Sequence, residues 1–261
     1  VLFRGGAEGD IRQKLIEKNQ IDTVIGLPSN LFSNTGIPVC IIILKKNRDL
    51  NEPVLFIDAS HNFIKVGKQN VLQEKDIAKI VDTYSNRTEE EGYSHLASRK
   101  ELISNEFNMN IPRYVTAIDN EIAHDVDAHL YGGIPKANIE NLKILKQLVP
   151  DVLEQAFAEK RPGYLALNKT IDAFSDEVLS STVVQETMTQ VKETVEAYLD
   201  TYWTQLHELG KERSSRQVKE AMLADIKHQL SAFEQLDSYD GYQMIAEIWA
   251  NSLEHDSEFI E

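Results

Sequence analysis

The residues best suited to binding chemistry lie in the segment LPSNLFSNTGIP, residues 27–38, which joins two apolar runs. The segment places polar side chains beside one aromatic ring, Phe32. Its eleven-residue connection is long for a link between two strands, and length beyond that need indicates a function. The alternative is structural, with Leu31 and Phe32 plugging the open end of a sheet.

A second group of residues forms the glycine-rich turn RGGAEG, Arg4 to Gly9, ahead of a helical pattern. Backbone amides at a helix N-terminus can hold a phosphate group. Glycine pairs at turns are commonplace, however, and Glu8 and Asp10 are typical acids of a first helical turn, which the helix dipole favours. The turn therefore predicts a helix start better than it predicts a phosphate site.

Histidine and cysteine offer little. His124 and His129 enclose two aspartates, as in a metal site, but residues five apart diverge by about 140° on a helix. We therefore predict a solvated helix and no metal site there. Cys40 is the single cysteine and lies in an apolar run, so it cannot form a disulfide within the chain. It is predicted to be a small core residue in a reducing, cytoplasmic setting.

The order of the elements in the first half of the chain predicts a particular kind of sheet. Residues 1–3 resemble the end of a strand, and a helical period through Ile11 and Leu15 follows. A β-rich run, 22–27, and an apolar run, 39–44, predict two more strands, the second buried on both faces. Strand, helix, strand, strand is the closing half of a Rossmann-like sheet, and we expect the chain to enter that domain halfway through.

The second half of the chain has helical periodicity. A polar, turn-rich stretch within 86–115 separates it from an amphipathic segment that begins at Glu74. Helices are predicted at 119–130, 138–160, 174–209 (ended by Gly210), 218–233 and 242–249. The predicted fold class is therefore α/β followed by all-α, with domains at 1–115 and 116–261.

Charge divides the two halves. The chain has a net charge of −15; residues 1–115 carry 15 Lys+Arg and 15 Asp+Glu, whereas residues 116–261 carry 12 and 27. DNA binding draws most of its affinity from basic side chains on phosphates, so we expect the second half to bind protein instead. No run approaches the roughly 18 apolar residues of a membrane span.

Several segments, in this order, resemble one known family. They are VLFRGGAEGDIRQKLIEKNQIDTVIGLPSNLFSNTGIPVCIIILKK, FIDAS, NIPRYV and HLYGGIPKANI. These segments are similar to the modification (methyltransferase) subunit of type I restriction-modification systems, over roughly residues 1–165. Members of that family transfer a methyl group from S-adenosylmethionine to the exocyclic amine of adenine in DNA.

The resemblance also shows what the chain lacks. The family's cofactor loop and its Asn-Pro-Pro-aromatic tetrapeptide precede the LFRGG segment, and no two prolines of this sequence are adjacent. We therefore expect a fragment of an S-adenosylmethionine-dependent enzyme that has no catalytic residue of its own and binds no cofactor alone.

The resemblance implies roles for individual residues. The equivalent loop of such methyltransferases lies beside the flipped adenine, which makes Asn30, Leu31, Phe32 and Thr35 candidates for facing the base, with Phe32 stacking on it. Arg4 and Arg12 are candidate contacts with the DNA backbone in the intact enzyme.

The family's partners are a specificity subunit, which supplies sequence recognition, and a restriction subunit. The candidate interface residues are Tyr198, Tyr202, Trp203 and Trp249, although the first three also fit a helix core. Removing everything after Arg161 is expected to leave a foldable αβ part and abolish assembly. The alternative function is a purely structural, protein-interaction module.

Overall fold

The structure, a computed structural model, describes residues 1–33, 35–116, 125–209 and 214–255. The chain divides into two compact units, Val1–Asp119 and Asn120–Glu261. Among the described helices, none has both the length and the apolar character needed to cross a membrane.

The first unit is an α/β unit. Its helices are α1 (Ala7–Glu17), α2 (Glu74–Asn86) and α3 (Arg99–Ser104), followed by a 3₁₀ turn at Ile111–Arg113. Its strands are β1 (Ile21–Leu27), β2 (Val39–Leu44), β3 (Val54–Asp58), β4 (Ile64–Val66), β5 (Gln69–Val71) and β6 (Ser94–Ala97). Four of them form a sheet in the order β2-β1-β3-β6, in which β1 and β3 are parallel and the other pairs antiparallel. Strands β4 and β5 form a separate hairpin.

The central strands of this sheet are buried on both faces. Successive residues of a strand point to opposite faces, so Val24 packs in one apolar cluster and Ile25 in another. The first cluster includes Ile16 of α1, whereas the second includes Ile80 of α2. The two helices therefore cover opposite faces of the sheet.

Three cations surround one buried carboxylate at the start of β1. Asp22 is only 2% exposed, and its carboxylate lies 3.1 Å from Arg48 Nε, 3.1 Å from Lys45 Nζ and 3.3 Å from Arg87 Nη1. A buried charge needs such partners, because desolvation would otherwise oppose its ionisation. The cluster ties the segment after β2 and the end of α2 to the base of β1.

Three expectations for this unit are wrong. Residues 1–3 form no strand, and β2 is not buried on both faces, since Ile41 and Leu44 are 48% and 57% exposed. The reason is position: β2 is an edge strand in the described part of the chain, and hydrophobicity alone does not reveal whether a neighbouring strand follows. Cys40, in the same strand, is likewise exposed and not in the core.

The second unit begins with short elements and ends in long helices. Its helices are α4 (Val126–Tyr131), α5 (Lys136–Glu140), α6 (Lys143–Leu148), α7 (Pro150–Ala156), α8 (Ile171–Ser180), α9 (Thr182–His207), α10 (Ser215–Leu230) and α11 (Ser238–Ile248), which continues into a π-helical turn at Trp249–Leu253. Its strands are β7 (Ile134–Pro135), β8 (Phe157–Arg161) and β9 (Tyr164–Leu167), in the antiparallel order β7-β9-β8.

The all-α expectation for residues 116–261 is therefore wrong for the part that contains β7, β8 and β9. The predicted helix at 138–160 is broken into three short helices and a strand. A hairpin signal explains the strands: Pro162 and Gly163 stand between two extended runs, and Gly163 adopts φ +80°, which favours glycine. An α/β unit followed by a C-terminal group of helices is nevertheless what the structure shows.

Helices α9, α10 and α11 share one apolar core. Tyr198 and Tyr202 donate hydrogen bonds from their hydroxyls to the carbonyls of Met222 and Ala221, both at 3.1 Å. Helices α10 and α11 approach so closely that a Cβ at Gly241 would clash with Leu230 Cδ1. The end signal expected at Gly210 lies outside the described residues.

Candidate functional site

The loop that the sequence singles out connects two antiparallel neighbours at one edge of the sheet. Strands β1 and β2 pair up to Leu27 and Val39, so residues 28–38 close a wide hairpin. Because β1 runs parallel to β3, the loop leaves the sheet at the edge where β3 also ends, at Asp58. Ligands of open α/β sheets bind at the carboxyl ends of such strands.

The structure separates the two apolar residues of this loop. Leu31 packs against the apolar cluster that contains Ile25 and Ile57, whereas the Phe32 side chain is 59% exposed. The packing role proposed for both residues therefore belongs to Leu31 alone. More than half of the Phe32 surface is accessible.

The polar candidates of the loop, Asn30 and Thr35, are held by the backbone. Asn30 adopts φ +52°, a left-handed conformation that asparagine tolerates better than most residues. Thr35 Oγ1 accepts a hydrogen bond of 3.2 Å from the amide of Ile37, and the Thr35 amide donates to the carbonyl of Phe32 at 3.3 Å. These bonds tie Thr35 to the backbone of Phe32 and of Ile37.

The loop rests on the β4–β5 hairpin, whose role the sequence reasoning missed. Asn70, only 6% exposed, donates from its backbone amide to the carbonyl of Asn30 at 3.0 Å. Its Nδ2 also donates to the carbonyl of Ser29 at 2.8 Å. A cavity of about 420 Å³ lies between loop and hairpin, lined by Ser29, Asn30, Phe63, Lys65, Gly67, Lys68 and Asn70. The only sequence signal was the pair of lysines in a stretch without acids.

The two arginine candidates have different environments. Arg12 is 8% exposed, and its guanidinium donates hydrogen bonds to backbone carbonyls, from Nε to Phe107 O at 2.6 Å and from Nη1 to Val1 O at 2.6 Å. The Arg12 guanidinium is therefore engaged by the protein backbone in this structure, and its contact with the DNA backbone in the intact enzyme stays a prediction. Arg4 remains exposed, 3.9 Å from the carboxylate of Glu8.

The interface candidates also divide. Tyr198, Tyr202 and Trp249 are 1%, 6% and 3% exposed in the core of α9–α11, and burial raises the pKa of the Tyr198 hydroxyl. Trp203 is 66% exposed, with its ring edge against His207 at a centroid distance of 4.9 Å. The structure therefore leaves Trp203 as the accessible member of this set.

Of the two histidines considered for a metal site, His124 lies outside the described residues. His129 lies in the last turn of α4. Among the residues that the structure describes, no three His, Cys, Asp or Glu side chains are grouped as a metal site would require.

A different histidine is engaged by two carboxylates. His95 Nδ1 lies 2.6 Å from Glu89 Oε1, and its Nε2 lies 3.0 Å from Glu101 Oε2. Partial burial by itself lowers the pKa of His95, but hydrogen bonds and charges from Glu101 and then Glu89 outweigh it and raise the pKa above 6.5. The protonated imidazole is therefore favoured in the folded state.

This arrangement predicts a pH-dependent contribution to stability. The His95 contribution should be complete below the unfolded pKa near 6.5 and lost as the pH rises through the higher folded pKa. Because His95 and its two carboxylate partners are partly exposed, we expect their interaction to contribute less than about 1 kcal/mol to the free energy of unfolding. The measurement is the free energy of unfolding of His95→Gln and of the control His61→Gln against pH. The prediction would be contradicted if the free energy of unfolding of His95→Gln differed from that of the wild type by as much at pH 9 as at pH 6.

Comparison with known proteins shows what this chain is similar to. Residues 1–123 match the family model described as N-6 DNA methylase. The methylase subunit of the type I restriction enzyme MpnII of Mycoplasma pneumoniae is 33% identical over 154 residues, 59% of this chain and 28% of that protein. The MjaVII methylase subunit of Methanocaldococcus jannaschii is 35% identical over 159 residues, 59% of this chain and 26% of that protein.

One solved structure is also similar. The type I restriction-modification system methyltransferase subunit from Streptococcus thermophilus is 52% identical, with a TM-score of 0.43, over 44% of this chain and 24% of that one. The chain thus spans about a quarter of the length of these relatives. The resemblance to the modification subunit, recognised from the sequence motifs, is confirmed.

Proposed function

We propose that this chain, which resembles the methylase subunits of type I restriction enzymes, is part of such a subunit. In the intact protein it would take part in methylating the exocyclic amine of adenine in DNA with S-adenosylmethionine. The observation that carries the proposal is the match of residues 1–123 to the N-6 DNA methylase model, in the same stretch that holds the loop 28–38.

The loop has the properties that base recognition needs. A flipped base is held by stacking on apolar or aromatic side chains and by hydrogen bonds along its edge. Phe32 offers an accessible side chain, and Asn30 and Thr35 flank it in the sequence with amide and hydroxyl groups. Leu31 anchors the loop to the core, so the ring is presented by a fixed support.

The edge of the sheet supports the proposal that further strands join it. Strand β2 is an edge within the described part of the chain and exposes Ile41 and Leu44. A long apolar edge is an aggregation hazard that native proteins cover. In the intact subunit we propose that the remaining strands of the catalytic sheet cover it.

The chain is also proposed not to hold S-adenosylmethionine by itself. In the family that it resembles, the cofactor loop and the Asn-Pro-Pro-aromatic tetrapeptide precede the LFRGG segment, and no two prolines of this sequence are adjacent. We therefore propose that the cofactor and catalytic tetrapeptide belong to another part of the subunit.

The second unit is proposed to assemble the complex. Residues 116–261 hold 27 acidic against 12 basic side chains, which disfavours DNA as a partner. Trp203 is a large exposed aromatic residue of the type that anchors protein interfaces. The proposed partners are the specificity subunit and, through the complex, the restriction subunit. The alternative function of the chain is that of a non-catalytic structural module, in which the second unit mediates assembly and the first unit is only a scaffold.

The experiment combines the complete subunit with its specificity subunit, S-adenosylmethionine and DNA that carries the target site. We expect N6-methyladenine in the digested DNA by mass spectrometry. The 261-residue chain alone should bind no S-adenosylmethionine in a calorimetric titration and should methylate no DNA. Micromolar cofactor binding by this chain alone would contradict the proposal that the cofactor site belongs to another part of the subunit. Methylation of another base would contradict the proposed substrate.

A further inference from the structure

The β4–β5 hairpin places two lysines beside the loop 28–38. Its turn is made by Gly67, with φ +64°, and Lys68, so that Lys68 lies at the tip and Lys65 on the adjoining strand. A positive φ at the first turn residue favours glycine and gives a tight two-residue connection. Both lysines are exposed, and neither has an ion-pair partner among the residues that the structure describes.

The charge around these lysines is unusual for this chain. Residues 59–73 contain no aspartate or glutamate, and the loop 28–38 contains no charged residue, although the chain as a whole carries −15. Neither lysine has a salt bridge among the described residues, so the two ammonium groups add positive charge to the hairpin and loop of an acidic protein. Such charge attracts phosphates.

Hairpin and loop form one structural piece. Asn70 is buried and bonds to the backbone of both Ser29 and Asn30, so the hairpin strand and the start of the loop hold each other in place. Lys65 and Lys68 line the same cavity of about 420 Å³ as these two loop residues. A group bound by the lysines would therefore lie beside Ser29 and Asn30, which precede the exposed Phe32 in the same loop.

We propose that the β4–β5 hairpin binds the phosphate backbone of the DNA duplex next to the base presented to the loop, with Lys65 and Lys68 as the phosphate contacts. This inference rests on the proposed function. Contacts with phosphates position a protein on DNA without reading its sequence, which suits a subunit whose target is chosen elsewhere in the complex. Asn70 couples that position to the loop.

The test is the salt dependence of DNA binding. The complete methylase complex carrying Lys65→Gln and Lys68→Gln is compared with the wild type, by fluorescence anisotropy over a range of potassium chloride concentrations. Each lost phosphate contact lowers the slope of log K against log salt by about 0.9, so the double variant should lose about 2. Thermal melting checks that the exposed substitutions leave the fold intact.

A matched control removes the same charge elsewhere. Lys14→Gln with Lys18→Gln changes one exposed lysine of α1 and the exposed lysine that caps the C-terminus of α1. Helix α1 covers the face of the sheet opposite to the one on which Leu31 and α2 pack. This control should keep the wild-type slope. If both double variants flatten the slope equally, the effect is one of net charge and the hairpin proposal is wrong.

The outcomes also separate this inference from the function on which it rests. A wild-type complex that binds and methylates DNA, beside a hairpin variant with an unchanged slope, overturns the hairpin proposal alone. A wild-type complex that neither binds nor methylates DNA overturns both. A lower slope in the hairpin variant only, with methylation by the wild type, supports both.

Discussion

Replacing Phe32 with alanine in the complete methylase is expected to lower methyl transfer by one to two decades while cofactor affinity stays unchanged. The side chain is 59% exposed and contributes little to the core, so its removal should affect the ligand more than the fold. Loss of one aromatic residue that stacks on a base costs about 1–3 kcal/mol. The measurement is the single-turnover rate with target DNA, beside calorimetric titration with S-adenosylmethionine.

Two further variants make this result specific. Phe3→Ala removes the same side chain from another exposed site of the same unit, 61% exposed, and should leave the rate unchanged. Phe32→Tyr keeps the ring and should restore most of the rate, because stacking needs only the aromatic face. An unchanged rate in Phe32→Ala would show that the ring has no part in holding the base.

The sequence could locate this loop but could not divide its residues. Leu31 and Phe32 are adjacent and both apolar, so composition treats them alike. Their difference arises because Leu31 meets Ile25 and Ile57, which lie on one face of the sheet. That contact depends on the pairing of β1 with β3, which is not encoded within the loop.

The helical stripe illustrates what spacing alone could have shown. Tyr198 and Tyr202 are four residues apart and share a helix face, whereas Trp203 lies about 140° away from Tyr198. The structure follows this geometry, with both tyrosines in the core of α9–α11 and Trp203 exposed. Helical angles therefore separate a core stripe from a surface residue more reliably than aromatic composition does.

Other features depended on long-range contacts. Arg12 donates a hydrogen bond to the carbonyl of Phe107, which is 95 residues away in the sequence, and no local pattern predicts such a bond. Strand β2 was expected in the interior because its residues are β-branched and apolar, yet burial is decided by whether a further strand adjoins it. The β8–β9 hairpin, by contrast, had a local signal in Pro162 and Gly163.

Removal of helices α9–α11 from the complete methylase is expected to abolish its assembly with the specificity subunit. The expected cut after Arg161 is unsuitable, because it would separate β8 from β9 and divide the three-stranded sheet. A stop after Ser180 keeps that sheet and α8, and removes helices whose apolar core is their own. Co-purification with a tagged specificity subunit measures the effect, and circular dichroism checks the remainder.

A point variant tests the same surface without removing any element. Trp203→Glu adds a charge at a site that is 66% exposed, so the core formed by Tyr198 and Tyr202 should remain intact. Loss of an interface hot spot costs about 2 kcal/mol or more, which corresponds to a roughly 30-fold weaker complex. Trp249→Phe, within the core, serves as the contrast: it should lower the melting temperature and leave the affinity for the specificity subunit nearly unchanged. If the truncated subunit still co-purifies, the interface lies elsewhere, and α9–α11 form a self-contained bundle with another role.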